Sequence, residues 1–129
     1  MKIGILGGTF NPIHYGHLIL GEQVRGQLGL DKVIYVPTFM RPKKTAGGIA
    51  EATHRLKMVA LAVKKNKRFS VSAMEIERRG RSYTVDTLRQ IKKKYPSAEL
   101  FFICGSDLVN EIPTWKNVEQ IYGMARFVL

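Results

Sequence analysis

Lys2-Ile3-Gly4-Ile5-Leu6-Gly7-Gly8-Thr9-Phe10-Asn11-Pro12-Ile13-His14-Tyr15-Gly16-His17 runs from an apolar stretch through a glycine loop onto two histidines at the head of a helical repeat. The nearly unbroken apolar start suits a parallel strand buried on both faces. Two adjacent glycines permit a sharp turn and let a ligand come close to the backbone, which exposes N–H groups to an anion. The helical pattern continues through Leu18, Leu20, Val24 and Leu28 and stops at Gly29. His14 and His17, three apart, therefore share one side of the first turn, where the helix dipole already favours negative charge. A strand, a glycine loop and a helix start in this order are built to hold a phosphate. The run lacks the Gly-Lys-Ser/Thr ending of a Walker A loop and the G-x-G-x-x-G spacing of a dinucleotide fingerprint, so a third phosphate-binding design is required.

Working outward, strand and helix patterns alternate to the end of the chain. Val33–Val36 reads as a second strand closed by Pro37, and residues 38–50 as a loop too polar and glycine-rich to pack, with Arg41-Pro42-Lys43-Lys44 inside it. A second helix is predicted from Ala52–Thr53, with Leu56, Val59, Ala60 and Val63 as its apolar stripe. Phe69–Met74 alternates as a third strand, followed by a charged connection over Glu75–Ser82. Ser82 or Thr84 is expected to cap a helix over Val85–Tyr95, which Pro96 ends. Leu100–Cys104 is a fourth strand running into Gly105-Ser106-Asp107, a short helix covers Asn117–Tyr122, and a fifth strand starts at Ala125. Such alternation predicts an α/β, doubly wound parallel sheet with right-handed crossovers, forming one domain over residues 1–129. Ligands of these sheets sit beyond the carboxyl ends of the strands at the switch point, where Gly7–His17 and Gly105–Asp107 would both emerge.

The chain has 129 residues, 45% of them hydrophobic, which suits one domain with a real core and excludes disorder. No apolar run is long enough to span a bilayer, and Met1-Lys2-Ile3 enters a strand directly without a signal-peptide pattern, so a cytoplasmic protein is expected. The single cysteine, Cys104, sits in an apolar run and reads as a buried, inert thiol. The formal charge of +11 is concentrated in residues 41–94, which hold sixteen Lys/Arg against four Asp/Glu. Such a field would gather polyanions such as ATP. RNA could use the same field, but no nucleic-acid module or interleaved aromatics accompany it. A zinc site made of His14, His17 and either His54 or a carboxylate is the alternative reading of the histidine pair, and no further His or Cys stands at ligand spacing to support it.

The stretch Gly7–Pro12 followed by His14-Tyr15-Gly16-His17 resembles the nucleotidylyltransferase superfamily, whose mark is a strand, then G-G/S-x-F-(D/N)-P and H-x-G-H. Further stretches along the whole chain are similar to the bacterial nicotinate mononucleotide adenylyltransferases: Lys44 at the place of a phosphate-facing lysine, the R-x-x-M helix at Arg55–Met58, Ser82-Tyr83-Thr84-Val85-Asp86-Thr87, Gly105-Ser106-Asp107, and Pro113-Thr114-Trp115-Lys116. Lys43 stands where the family usually has histidine. The resemblance implies a Rossmann-like fold and transfer of AMP from ATP to nicotinate mononucleotide, with release of pyrophosphate, in NAD biosynthesis. It implies His14, His17 and Lys44 on the phosphates, and Gly7 and Gly16 shaping the nucleotide loop with Gly105. Gly8, Thr9, Phe10 and Asn11 would lie along the substrate phosphate or ribose. It further implies backbone N–H groups near Thr84 on the nicotinate carboxylate, Asp107 on a ribose hydroxyl, and Trp115 with Lys116 at the pyridine ring. Arg55 carries a structural role in this reading.

A phosphate oxygen is already anionic at neutral pH, so the implied reaction needs no side-chain base; positioning and charge neutralisation suffice. Mg²⁺ is expected with ATP, bridging the leaving phosphates. A relative preferring NMN, a nucleotide-binding domain without turnover and a basic RNA-associated domain are the competing functions. The family carries an I-S-S-T-x-I-R type segment that grips the ATP triphosphate, and no such segment occurs up to Leu129. A shortened chain, one completed by a second polypeptide, and a relative that binds without turnover all stay open. If the family architecture holds, an uncovered sheet edge predicts reduced stability or self-association.

Overall fold

Five strands, all parallel, form one sheet in the order β3-β2-β1-β4-β5. They are β1 (Lys2–Gly8), β2 (Lys32–Pro37), β3 (Phe69–Val71), β4 (Glu99–Ile103) and β5 (Ala125–Val128). The structure is a computed structural model that describes residues 1–39 and 50–129. Lys44 and the rest of its loop lie outside the described residues. The helices are α1 (Tyr15–Leu28), α2 (Ala52–Val63), α3 (Met74–Arg78), α4 (Thr84–Lys94) and α5 (Val118–Met124).

Both faces of the sheet are covered, which is why its central strands are apolar at consecutive positions rather than at alternate ones. Ile3, Ile5, Ile34, Leu100 and Phe102 pack on one face with Val85, Leu88 and Ile91 of α4 and Ile121 of α5. Leu6, Val33, Tyr35, Phe101 and Ile103 pack on the other with Val24 of α1 and Val59 and Val63 of α2. Neighbouring strands β1 and β4 pair Leu6 with Ile103, so the loops after them leave the sheet side by side. The chain moves from β1 outward to β2 in one direction and returns to β4 in the other, which makes this the switch point of the sheet.

Three local expectations are corrected. The third strand is three residues long, and Met74–Arg78 is a helix where an irregular charged connection was expected. The helix starts as the Ser72 hydroxyl accepts from the Met74 N–H at 3.3 Å, and ends where Arg79 and Gly80 take φ of 59° and 69°. Neither Ser82 nor Thr84 caps α4: Tyr83 occupies the cap position with no side-chain bond, and the Ser82 hydroxyl instead accepts from the Phe39 N–H at 3.0 Å. Finally, Gly7 and Gly8 do not turn the chain. Both remain in β1, and the reversal falls at Phe10, with φ of 50°, next to the cis Asn11–Pro12 peptide.

Candidate active site at the carboxyl ends of β1 and β4

Glycine at positions 7 and 8 is not demanded by packing. A Cβ on Gly7 would come no nearer than 3.7 Å to another atom, that of Phe102, and one on Gly8 no nearer than 3.4 Å to the Phe10 ring, both ordinary contacts. What the missing side chains leave is bare backbone at the strand end, bordered by the Phe102 and Phe10 rings. Phe10 itself is a core residue, 3% exposed, with its ring edge-on to His17 at 5.0 Å.

The two histidines close the start of α1 reciprocally. His14 Nδ1 accepts from the Gly16 N–H at 3.1 Å, and His17 Nδ1 accepts from the His14 N–H at 3.0 Å. The rings stack with centroids 3.9 Å apart. Both rings therefore act as caps of α1. A nitrogen that accepts from a backbone N–H carries no proton, so each neutral ring must hold its proton on Nε2. That leaves Nε2–H of both rings as donors, fixed in direction by the caps. Burial first, and the neighbouring His14 second, hold the His17 imidazole below its ordinary pKa, which favours this neutral form. Gly16 explains the spacing of the motif: a Cβ there would lie 2.8 Å from His14 Cε1 and 2.9 Å from Nδ1, in the space the capping ring occupies. The start of α1 is anchored from below by the buried Tyr35 hydroxyl, which donates to the His17 carbonyl at 3.0 Å.

Arg55, on the first turn of α2 and 2% exposed, fixes the surrounding segments. Its guanidinium donates to the carbonyls of Ala50 at 2.9 Å, Thr9 at 2.8 Å and Thr38 at 2.7 Å, with Phe39 at 3.4 Å. Asn11 Oδ1 accepts from the Ala50 N–H at 3.0 Å, tying the same loop to the entry of α2. The structural role read for Arg55 is thus a clamp on the loop after β1, reaching it through Thr9.

Beyond β4, Gly105 leaves room for its neighbour: a Cβ would lie 2.5 Å from Asp107 Oδ1. Asp107 is exposed in a single 3-10 turn, Ser106–Leu108, beside the β1 loop. Cys104, just before it, is buried, and burial first and Asp107 second push its thiol up to about 11, so it is not a nucleophile. At the amino end of α4, Thr84 and Val85 hold the first helical N–H groups, which have no carbonyl one turn back. Trp115 is half-buried against Phe102 at 5.8 Å and Phe127 at 6.0 Å, so part of its ring belongs to the core. Lys116 places its ammonium 4.5 Å from the Tyr83 ring centre, which joins the Trp115 loop to the segment before α4.

A family model described as cytidylyltransferase-like matches residues 5–129. The chain belongs to that family. A relative in Desulfitobacterium hafniense named probable nicotinate-nucleotide adenylyltransferase is 46% identical over 127 residues, covering 98% of this chain and 61% of its own length. One of the same name in Bacillus pumilus is 42% identical over 127 residues, covering 98% and 67%. The structure of Plasmodium falciparum nicotinic acid mononucleotide adenylyltransferase complexed with NaAD superposes with a TM-score of 0.78 at 24% identity. It covers 93% of this chain and 59% of that one, a likeness of fold. The chain thus spans about three-fifths of the length of the first of these relatives.

For this family member the fold redistributes the basic charge. Lys64, Lys65, Lys67 and Arg68 lead into β3, and Lys92–Lys94 close α4 just before β4, so both clusters lie at the amino ends of the strands, opposite the loops just described. β4, with five residues, spans about 16 Å, longer than the Debye length of about 8 Å at physiological ionic strength. Arg78, Arg79 and Arg81 instead lead into α4, whose amino end faces the carboxyl side of the sheet. Among the described residues no three of His, Cys, Asp and Glu group to hold a metal, and no helix is long and apolar enough to cross a membrane.

Proposed function

We propose that the chain carries the nucleotide-binding and acceptor half-sites of an enzyme that transfers AMP from ATP to nicotinate mononucleotide, giving nicotinate adenine dinucleotide and pyrophosphate. The observation that carries this reading is the reciprocal cap at the start of α1, which leaves two Nε2–H donors fixed at a helix N-terminus just after the carboxyl end of β1. The names of relatives matched over nearly the whole chain support the choice of substrates.

In this reaction an oxygen of the mononucleotide phosphate attacks the α-phosphorus of ATP as the bond to the β-phosphate oxygen breaks. No proton has to be removed from the nucleophile. His17 and His14 donate from Nε2 to phosphoryl oxygens on which charge builds, and because the donors are held in place beforehand they need little reorganisation. Mg²⁺ brought in with ATP would supply charge neutralisation for the leaving pyrophosphate. Lys44, outside the described residues, is assigned to the phosphates. Gly7–Asn11, with Gly16, line the nucleotide loop, and Gly105 gives Asp107 its approach to a ribose hydroxyl. Backbone N–H at Thr84, on the first turn of α4, receives the acceptor carboxylate, with Trp115 and Lys116 at the pyridine ring.

Calorimetry of the 129-residue chain with nicotinate mononucleotide, then with ATP and Mg²⁺, followed by a pyrophosphate assay, tests the reading. Binding of both with release of pyrophosphate supports it. Tighter binding of NMN than of nicotinate mononucleotide would reassign the acceptor, and binding without release would make the chain a nucleotide-binding domain. His17→Ala should lower turnover on the order of 10²-fold. Normal turnover in that variant would remove His17 from the mechanism.

A further inference from the structure

Glu75 lies on α3, which the sequence did not reveal as a helix, and is only 5% exposed. Its Oε2 accepts from Thr87 Oγ1 at 2.5 Å, while its Oε1 forms no hydrogen bond with any described residue. Thr87, 1% exposed, sits on the first turn of α4 and also accepts from Arg78 at 3.2 Å, and Arg78 in turn donates to Gln90 one turn further along α4. The Ser82 hydroxyl interacts with the same carboxyl group and accepts from the Phe39 N–H, whose carbonyl is held by Arg55. A buried polar chain thus runs from the start of α4 through Glu75 and Ser82 to the segment after β2.

Such a chain is costly. A carboxyl group out of water with one oxygen unmatched destabilises the fold, and an apolar side chain of similar size would pack there without that cost. What the group does geometrically is fix the first turn of α4 from the inside, since neither Ser82 nor Thr84 caps it from the outside. We propose that Glu75 is the positioning residue of the acceptor half-site, holding the first turn of α4 through Thr87 so that the Thr84 N–H group points at the acceptor's carboxylate. This rests on the function proposed above. Glu75 itself touches no substrate. Burial raises its pKa, against the opposing effects of Thr87, Arg78 and Ser82, which lessens any repulsion between its own carboxyl and an anionic acceptor.

The test uses the chain with Glu75→Leu, Thr87→Val and Glu75→Gln, the last keeping an acceptor oxygen for the Thr87 hydroxyl. Two quantities are read on each folded protein: amide NMR shifts of residues 82–87 without ligand, and the affinities for nicotinate mononucleotide and for MgATP by calorimetry. Glu75→Leu and Thr87→Val should move those amides and weaken the mononucleotide about tenfold, one misplaced hydrogen-bonding group, while leaving MgATP within about twofold. Glu75→Gln should restore most of the affinity. Thr87→Val serves alone if Glu75→Leu does not fold. Unmoved amides, or equal losses for both ligands, would overturn the positioning role. A wild-type chain that does not bind the mononucleotide would overturn the function itself and this role with it, whatever the amides show.

Discussion

Replacing Arg55 by lysine should weaken the fold far more than an exchange of like charges ordinarily does. Three of its bonds, at 2.7, 2.8 and 2.9 Å, join carbonyls from three separate segments, and a fourth is longer at 3.4 Å. Hydrogen bonds to a charged group contribute about 1.5–3 kcal/mol each. Part of that gain is offset because the guanidinium is buried with no carboxylate paired to it among the described residues, and the same burial lowers its pKa. An ammonium on an unbranched stem keeps the charge but cannot meet the three carbonyls in one plane, so at least two stay buried and unmatched. A net loss of about 3 kcal/mol is therefore expected for Arg55→Lys. With a urea slope of about 1–3 kcal/mol per molar for a domain of this size, the midpoint should fall by about 1–3 M. The single tryptophan, Trp115, packed on Phe102 and Phe127, reports unfolding by its fluorescence. Because Arg55 holds the Thr9 carbonyl, MgATP binding should weaken as well. A midpoint shift below about 0.3 M, which corresponds to less than about 1 kcal/mol, would refute the clamp and reduce Arg55 to a packed stem.

Gly16→Ala tests the histidine geometry with little effect on stability: the new Cβ displaces the His14 ring from its cap, costing about 1 kcal/mol, while alanine regains about as much helix propensity over glycine. MgATP affinity should fall while the melting temperature hardly moves, and an unchanged affinity would contradict the need for a capped His14. The pH dependence follows from His17, whose imidazole is held below its ordinary 6.5 by burial and by His14. The unfolded chain then binds that proton more readily, so the stability due to the neutral cap is complete above 6.5 and is lost as pH falls through the lower folded value. Melting between pH 8 and 5 should show this decline in the wild type and less of it in His17→Ala; parallel profiles would show that the cap does not titrate.

The order of elements was legible because it depends on periodicity and punctuation. β1 and β4 are apolar at successive positions, α1 ends at Gly29 with φ of 65°, and α4 repeats Val85, Leu88 and Ile91 at helical spacing. α3 was not legible. Five residues are too few to show a period, and Met74–Arg78 is mostly charged, so the helix is bounded by the Ser72 bond and the turn at Arg79–Gly80 and tied to α4 through Glu75 and Thr87, none of which a hydrophobic pattern contains. The site divides along the same line. His14, Gly16 and His17 could be read because their bonds are to each other's backbone within one turn. The work of Arg55 could not be read, because its partners are carbonyls, which every residue has, brought together from positions 9, 38, 39 and 50. The glycines show the limit from the other side. Gly7 and Gly8 suggested a turn that they do not make, while Gly16, expected from the resemblance to shape the nucleotide loop, is sterically required by the His14 ring. A glycine marks a missing side chain, and only the fold shows whether that space goes to a turn, to a neighbouring ring or to a ligand. At Gly7 and Gly8 the space borders the Phe102 and Phe10 rings at ordinary contact distance, so these glycines serve neither a turn nor a steric need, and what they leave is a strand end with its backbone bare of side chains.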